Sequence, residues 1–187
     1  MPKLYIIPLT QVGIVEYLDT IIGMVRESYN RAGVDLEVYS WPEVLKPSLK
    51  CYDWDRMQYR AGCIVEDLYR GVSSLDEGGY FVGVGMIDGY EPGLNFVFGL
   101  AEPRKRTGVV FTKRLREEFY GRSAKFDLYV ERVAKEVVHE LGHLLGLPHC
   151  HNRRCVMSFS NSIVDVDSKE RFFCDECSLT LKKLVLT

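Results

Sequence analysis

The chain has 187 residues, of which 47% are hydrophobic and 27% are charged, and its formal net charge is −2. This balance is typical of one soluble globular domain, which excludes a disordered or fibrous chain and gives no basic excess for binding nucleic acid. No apolar run approaches the roughly 18 residues of a membrane-spanning helix, and the first residues lack a signal-peptide pattern. We therefore expect a cytoplasmic, monomeric protein that binds neither membranes nor nucleic acid.

The first 112 residues alternate between strand and helix patterns. Strands are predicted at residues 3–9, 34–40, 80–87, 95–100 and 109–112. One helix is predicted at residues 14–30, and a second begins near Asp53 or Asp55, either of which could cap it, with an apolar face that ends at Val72. This order predicts a mixed α/β fold, with a twisted, mostly parallel sheet, an antiparallel edge strand and helices packed on it.

The most regular helical pattern begins at Ser123 or Asp127 and runs to Leu145. Its apolar residues recur from Val130 onwards at the spacing of one helical face, and Gly146 with Pro148 ends it. The residues that follow are polar and loop-like until a last predicted helix at residues 175–186.

All four histidines of the chain lie between positions 139 and 151. His139 and His143 are one helical turn apart, so both imidazoles can bind one Zn²⁺ at about 2.0–2.1 Å. A sharp turn at Gly146 can bring back His149 as a third ligand, which leaves the fourth position for water, as in catalytic zinc sites. Glu140 is placed to accept a proton from that water. The alternative is a helix that simply carries surface or core histidines.

Four of the six cysteines form a second pattern, Cys150-x4-Cys155 followed by Cys174-x2-Cys177. Four thiolates from two short loops suit a closed tetrahedral zinc site, which leaves no room for substrate and is therefore structural. Such a site would hold the polar segment 151–173, which has few apolar residues of its own. The alternative is two disulfides, which an intracellular location disfavours.

The remaining candidate residues have less specific patterns. His151 is expected to be solvated rather than a metal ligand, because neighbours in sequence rarely bind one ion together. Cys51 and Cys63 have no partner spacing, so we expect two reduced, buried cysteines. The basic residues at 104–106, 113, 114 and 116 predict either a solvated hairpin tip or a preference for acidic substrates.

The motif His139-Glu140-x-x-His143-x-x-Gly146-x-x-His149 resembles the metzincin clan of zinc peptidases. Met157 matches the methionine of the clan's tight turn beneath the metal. A set of cysteines narrows the resemblance to the archaemetzincin family. Cys150 directly follows His149, and Cys155, Met157 and the Cys174-x-x-Cys177 pair come after it. The motifs cover residues 139–177.

This resemblance implies a single-domain zinc metallopeptidase with a mixed sheet above an active-site helix. It implies one zinc on the three motif histidines, Glu140 as general base, and a second zinc on the four cysteines. We expect residues 1–187 to form one domain, with an N-terminal subdomain at 1–146. The C-terminal subdomain at 147–187 would carry the third histidine, the methionine turn and the zinc-stapled loop. The family's natural substrates are not well defined, so the resemblance supplies none.

The predicted function is therefore hydrolysis of peptide bonds in a peptide or protein substrate, through a zinc-bound water activated by Glu140. The predicted strand 95–100 would border the cleft and pair with an extended peptide, and residues 157–163 would form the lower wall. Endopeptidase and aminopeptidase are not distinguished, since no acidic residue stands out to hold a substrate amine. One alternative is a metal-binding or partner-binding protein with little activity, which the intact Glu140 disfavours. The other is a nucleic-acid-binding zinc module, which the net charge disfavours.

Overall fold

Residues 1–186 are described by a computed structural model, in which eight strands form two sheets. The strands are β1 (Lys3–Pro8), β2 (Glu37–Ser40), β3 (Tyr52–Asp53), β4 (Gln58–Arg60), β5 (Tyr80–Gly85), β6 (Gly89–Tyr90), β7 (Gly99–Glu102) and β8 (Thr107–Phe111). The larger sheet has the order β2-β1-β5-β8-β7, and β3, β4 and β6 form the smaller one. Within the larger sheet only β7 is antiparallel to its neighbour, so the prediction of a mostly parallel sheet with an antiparallel edge is confirmed.

Helices cover both faces of the larger sheet. They are α1 (Leu18–Arg31), α2 (Ala61–Val72), α3 (Phe126–Leu144), α4 (Ile163–Ser168) and α5 (Asp175–Leu186). Along β1, Leu4 and Ile6 belong to the core shared with α1 and α3, whereas Ile7 and the following Leu9 belong to the core shared with α2. Burial on both faces explains why the central strands read as nearly continuous apolar runs. None of the helices within residues 1–186 combines the length and apolar character needed to cross a membrane.

The edge strand lies further along the chain than the sequence predicts. It spans Gly99–Glu102 and pairs with β8, with Leu100 opposite Val109. Most of the predicted strand 95–100 is instead a loop, in which Val97 forms an isolated antiparallel bridge with Gly89. The apolar residues of that loop are therefore free to face a cleft instead of a sheet neighbour.

The second helix begins at Ala61, so the predicted start near Asp53 or Asp55 is wrong. Asp53 Oδ1 accepts hydrogen bonds of 3.0 Å from the backbone N–H groups of Asp55 and Arg56. This local turn competes with helix capping, because a short carboxylate side chain can satisfy either arrangement. The chain then turns through Met57, which has a φ of 57°, and forms the β3–β4 hairpin.

The prediction that Cys51 and Cys63 are two reduced cysteines is also wrong. They form a disulfide, with their Cα atoms 5.4 Å apart. The β3–β4 hairpin occupies most of the intervening residues and folds Cys51 back against the first turn of α2. A continuous helix from Asp53 would not have brought the two thiols together, so this error follows from the misplaced helix start.

The polar segment after α3 is tied to that helix by three ion pairs, each with at least one buried partner. The pairs are Arg132–Asp167, Glu136–Lys169 and Glu131–Arg171. Lys135 also donates a 3.0 Å hydrogen bond to the backbone oxygen of Val166. Sequence periodicity did not predict α4, whereas the predicted last helix at 175–186 is confirmed. The division of the chain into subdomains at residue 146 stays a prediction.

Candidate metal centres and active-site cleft

Three histidines converge at the end of α3. His139 and His143 lie on one side of the helix, and Gly146, with a φ of +102°, reverses the chain so that His149 faces them. The ring centroids lie 4.6 Å apart for His139 and His143, 5.4 Å for His139 and His149, and 4.6 Å for His143 and His149. One ring nitrogen from each histidine lies within 4.8 Å of the other two. Three imidazole nitrogens on one tetrahedral zinc stand about 3.3 Å apart, so small side-chain shifts complete such a site.

Backbone carbonyls orient two of these rings. His139 Nδ1 lies 2.8 Å from the oxygen of Val156, and His143 Nδ1 lies 2.8 Å from the oxygen of Leu147. A carbonyl oxygen only accepts hydrogen bonds, so each Nδ1 carries the proton and each Nε2 keeps its lone pair. The two Nε2 atoms lie 3.0 Å apart. Two lone pairs directed at one point repel each other unless a cation lies between them, which fits a metal site.

Burial also favours the neutral, metal-binding form of the histidines. It lowers the pKa of His139 well below the ordinary value and lowers the pKa of His143 and His149 in the same direction. The charge of Lys169 adds to this effect at each ring. The three imidazoles are therefore available as neutral ligands at neutral pH.

Glu140 is buried beside the histidines, directly below the edge strand. A Cβ atom at Gly99 would lie only 2.8 Å from Glu140 Cδ, so the glycine at the start of β7 makes room for this carboxylate. Burial, and then the nearby Glu136, raise the pKa of the Glu140 carboxyl well above its ordinary value, whereas Lys169 lowers it. A carboxyl group with a raised pKa holds a proton more readily, as a general base must.

Met157 is fully buried and packs against α3 between the two helical histidines. A Cβ atom at Gly142 would overlap the Met157 sulfur and lie 3.0 Å from its terminal methyl carbon. The backbone oxygen of Met157 accepts a 2.9 Å hydrogen bond from Cys150 N, the residue after His149. Sequence reasoning gave no role to Gly142, which occupies an unspecified position of the histidine motif, directly before His143.

The four predicted cysteines also come together. Cys150, Cys155, Cys174 and Cys177 are free, and their sulfurs all lie within 4.8 Å of one another. Cys150 Sγ and Cys174 Sγ are 3.8 Å apart, which matches the ~3.8 Å between thiolates on one tetrahedral zinc with Zn–S near 2.3 Å. Burial raises the pKa of Cys155 to about 11, so its thiolate form at neutral pH requires a cation nearby. His151 is exposed and belongs to neither cluster.

A cleft of about 550 Å³ runs past the histidines. Its upper wall is β7 with the preceding loop, and its lower wall includes Phe159, Ser160 and Asn161, within the predicted segment 157–163. The Phe159 ring lies 5.1 Å from the His149 ring. None of the basic residues at 104–106, 113, 114 and 116 lines this cleft, so the predicted alternative of a preference for acidic substrates gains no support.

Sequence reasoning missed the residues that hold the upper wall. Arg56 donates hydrogen bonds of 2.8 Å and 3.1 Å to the backbone oxygens of Leu94 and Asn95, and Gln58 donates one of 3.0 Å to Asn95. These residues lie almost forty positions apart in the chain. No local pattern marks such a contact, because it depends on how the β3–β4 hairpin packs.

Comparisons with known proteins identify the family of this chain. The model of peptidase family M54 matches residues 43–183. The archaemetzincin of Sulfolobus acidocaldarius is 44% identical over 158 residues, which cover 84% of this chain and 86% of that protein.

Solved structures are similar over almost the whole chain. The archaemetzincin of Methanopyrus kandleri has a TM-score of 0.84 and 35% identity, and the match covers 100% of this chain and 96% of that one. A zinc-dependent peptidase from Methanocorpusculum labreanum has a TM-score of 0.87 and 26% identity, with 95% and 99% of the two chains covered. The chain thus belongs to peptidase family M54, the archaemetzincins, and is a zinc-dependent metallopeptidase.

Proposed function

We propose that the three-histidine cluster is the catalytic zinc site, with His139, His143 and His149 as ligands and Glu140 as general base. The observation that carries the proposal is the convergence of three neutral imidazoles and a buried carboxylate at the wall of one open cleft. The second cluster, on four cysteines, would hold a structural zinc, which gives two ions per chain. The expectation of a monomer stays a prediction.

The residues around the histidines are suited to peptide hydrolysis. His139, His143 and His149 would hold a zinc ion, which would lower the pKa of a water ligand to about 7 and polarise the scissile carbonyl. Glu140 accepts the proton of the attacking water at its carboxylate and then delivers it to the leaving amine. Gly99, which has no Cβ, leaves room for the Glu140 carboxylate beneath the edge strand.

The edge strand supplies a binding surface for the peptide. β7 pairs with β8 on one side only, so its other backbone groups can form hydrogen bonds with an extended substrate. The cleft below it also contacts apolar side chains, among them Phe96 and Leu147. An extended peptide with apolar side chains therefore fits this cleft better than a folded surface does.

Met157 and the cysteine cluster would support the catalytic site from below. The Val156 carbonyl orients His139, and the Met157 carbonyl is bonded to Cys150, so one short segment contacts both clusters. We infer that this segment corresponds to the methionine turn of the clan. Its packing against Gly142 keeps the carbonyl that orients His139 in place.

The proposal is tested by metal analysis and digestion of a peptide library. Wild type and Glu140→Ala should each contain two zinc ions per chain, whereas His143→Ala should contain one. Loss of the proton acceptor should lower hydrolysis by about 10²–10⁴-fold or more. Glu43→Ala, at an exposed glutamate, is the matched control and should cleave like wild type.

Two results would contradict the assignments. Peptide cleavage by Glu140→Ala at the wild-type rate would remove Glu140 from the mechanism. Two zinc ions in His143→Ala would show that the histidine cluster is not the site. If the wild type itself cleaves no peptide, a metal-binding protein with little hydrolytic activity becomes the better description.

A further inference from the structure

We propose that Glu91 determines substrate specificity by binding a cationic group of the peptide in the catalytic cleft. The cation would be either the substrate's α-ammonium group or the side chain of a lysine or arginine. This inference rests on the proposed function of the cleft. It concerns recognition of the substrate, whereas the proposed function concerns the chemical step.

The charges that line the cleft point to Glu91. Among residues 1–186, the charged side chains lining it are Glu91, Glu136 and Glu140, with no lysine or arginine. Glu140 is assigned to the chemical step. Glu136 Oε1 lacks a hydrogen bond of good geometry, but Lys169 Nζ lies 2.9 Å away, so an opposite charge compensates it. Glu91 is the remaining carboxylate, and it has no such partner within the described part of the chain.

One oxygen of Glu91 is held in a fixed position. Gly62 N, in the first turn of α2, donates a 2.6 Å hydrogen bond to Glu91 Oε1. The positive end of the helix dipole lies next to this carboxylate and helps to hold it in place. This bond also compensates for the missing side-chain cap at Arg60, the residue that precedes the helix. Capping needs only Oε1, so Oε2 is available to a ligand.

The nearby arginines do not neutralise Glu91. The guanidinium of Arg56 lies 4.1 Å from the centroid of the Tyr90 ring and is hydrogen-bonded to the upper-wall loop. Arg60 is exposed and forms no ion pair with Glu91 in the described structure. The rest of the upper wall is apolar, including Leu94 and Phe96. A carboxylate at the edge of an apolar wall attracts a cation more strongly than one surrounded by water.

The strength of such a contact sets the expected effect. A hydrogen bond between two charged groups in a partly enclosed site changes affinity by about 10- to 100-fold. The effect should appear in substrate binding, since Glu91 would contact a part of the peptide that does not react.

The experiment uses the zinc-loaded Glu140→Ala protein, which binds peptides without cleaving them, and its Glu140→Ala/Glu91→Gln derivative. The glutamine amide oxygen still accepts the Gly62 hydrogen bond, so this change removes the charge and keeps the cap. Dissociation constants are measured by fluorescence anisotropy for labelled extended peptides. One series compares free with acetylated N-termini, and another replaces lysine by norleucine at each position in turn.

We expect Glu140→Ala to bind cationic peptides about 10- to 100-fold more tightly than their neutral counterparts, and the Glu91→Gln derivative to lose this preference. Loss of binding on acetylation identifies the α-ammonium group, and loss on norleucine replacement identifies a basic side chain. Glu43→Gln in the same background should keep the preference. Unchanged thermal unfolding of the Glu91→Gln protein confirms that the cap is intact.

The proposal is overturned if the preference persists in Glu91→Gln, or if no charge-dependent binding exists in either protein. Neither result depends on hydrolysis, so this failure is distinct from failure of the proposed function. A wild type that cleaves peptides without charge preference would remove Glu91 from substrate recognition and leave Glu140 in place. A charge preference in a wild type that cleaves no peptide would support Glu91 in substrate recognition and contradict the role of Glu140 in hydrolysis.

Discussion

Replacing Gly142 by alanine tests how closely the catalytic helix packs against Met157. The added methyl group would overlap the Met157 sulfur, lie 3.0 Å from its terminal methyl carbon and lie 3.6 Å from a ring carbon of Phe173. Methionine is flexible, but Met157 is fully buried, so its displacement would also move the core side chains packed around it. Overpacking of this kind typically costs about 1–3 kcal/mol.

A second glycine provides the matched control. Gly23 lies in the middle of α1 with no atom within 4 Å of the position of an added Cβ. Alanine is favoured over glycine within a helix by roughly 0.5–1 kcal/mol, and this gain applies to both sites. Gly23→Ala should therefore be more stable than wild type. Gly142→Ala should be less stable than Gly23→Ala by about 1–3 kcal/mol.

Gly142→Ala should also weaken zinc binding at the histidines. Displacement of Met157 moves the neighbouring Val156 carbonyl, which orients the His139 ring. Loss of such support typically costs 10–100-fold in metal affinity. Urea unfolding measures the stability difference, and competition with a chelator measures zinc affinity. If the two alanine variants behave alike in both measurements, Met157 does not support the site through Gly142.

Two further predictions concern stability. The Cys51→Ser/Cys63→Ser double variant should lose roughly 2–3 kcal/mol of unfolding free energy, because its unfolded chain is no longer cross-linked. It should keep its full zinc content. Equal stability of this variant and wild type in urea would contradict the prediction. Arg132, and then Arg122, lower the pKa of Glu117 in the folded protein. The ionised carboxylate therefore stabilises the fold at pH values above the pKa that Glu117 has in the unfolded chain. This stabilisation is lost as the pH falls through the lower pKa of the folded state. Wild type should thus lose stability more steeply than Glu117→Gln as the pH falls below about 5, and parallel curves in acid unfolding would refute this.

Local spacing was enough to predict the parts of the site that lie close together in sequence. The helix bearing His139 and His143 was predicted within a few residues of its limits, since its apolar positions and the glycine that ends it are adjacent in the chain. The cysteine cluster was predicted for the same reason. In both cases the residue types and their spacing limit the chemistry to very few possibilities.

Contacts between distant residues were not predictable in this way. The carboxylate of Asp53 suits a helix cap and a turn equally well, and only the packing of the β3–β4 hairpin decides between them. The disulfide and the Arg56 contacts with the cleft wall depend on that hairpin. On α3, residues such as Arg132 and Glu136 look like a solvated face, yet they are buried in ion pairs with the segment around α4.

These ion pairs bear on a prediction about coupling between the two proposed metal sites. Residues 163–171 are tied to α3 by charges, so loss of the cysteine site should leave them in place. The loop 147–157 has fewer such contacts. His149 and Cys150 are adjacent, with Cα atoms about 3.8 Å apart, and would bind different ions. Loss of the ion at the four cysteines should therefore also disorder His149, the third ligand of the ion at the histidines.

Cys177→Ser should accordingly weaken zinc binding at the histidines by 10–100-fold, although Cys177 belongs to the other cluster. Competition with a chelator under reducing conditions compares this variant with wild type. The Cys51→Ser/Cys63→Ser double variant is the control, because it removes the disulfide, lies outside both clusters and tests whether lower stability alone weakens zinc binding. Equal affinities in all three proteins would show that the hydrogen bond between Cys150 N and Met157 O, with the packing of Met157 on Gly142, holds His149 without help from the cysteines. A loss confined to Cys177→Ser would mean that the structural ion orders the loop on which the catalytic ligand lies.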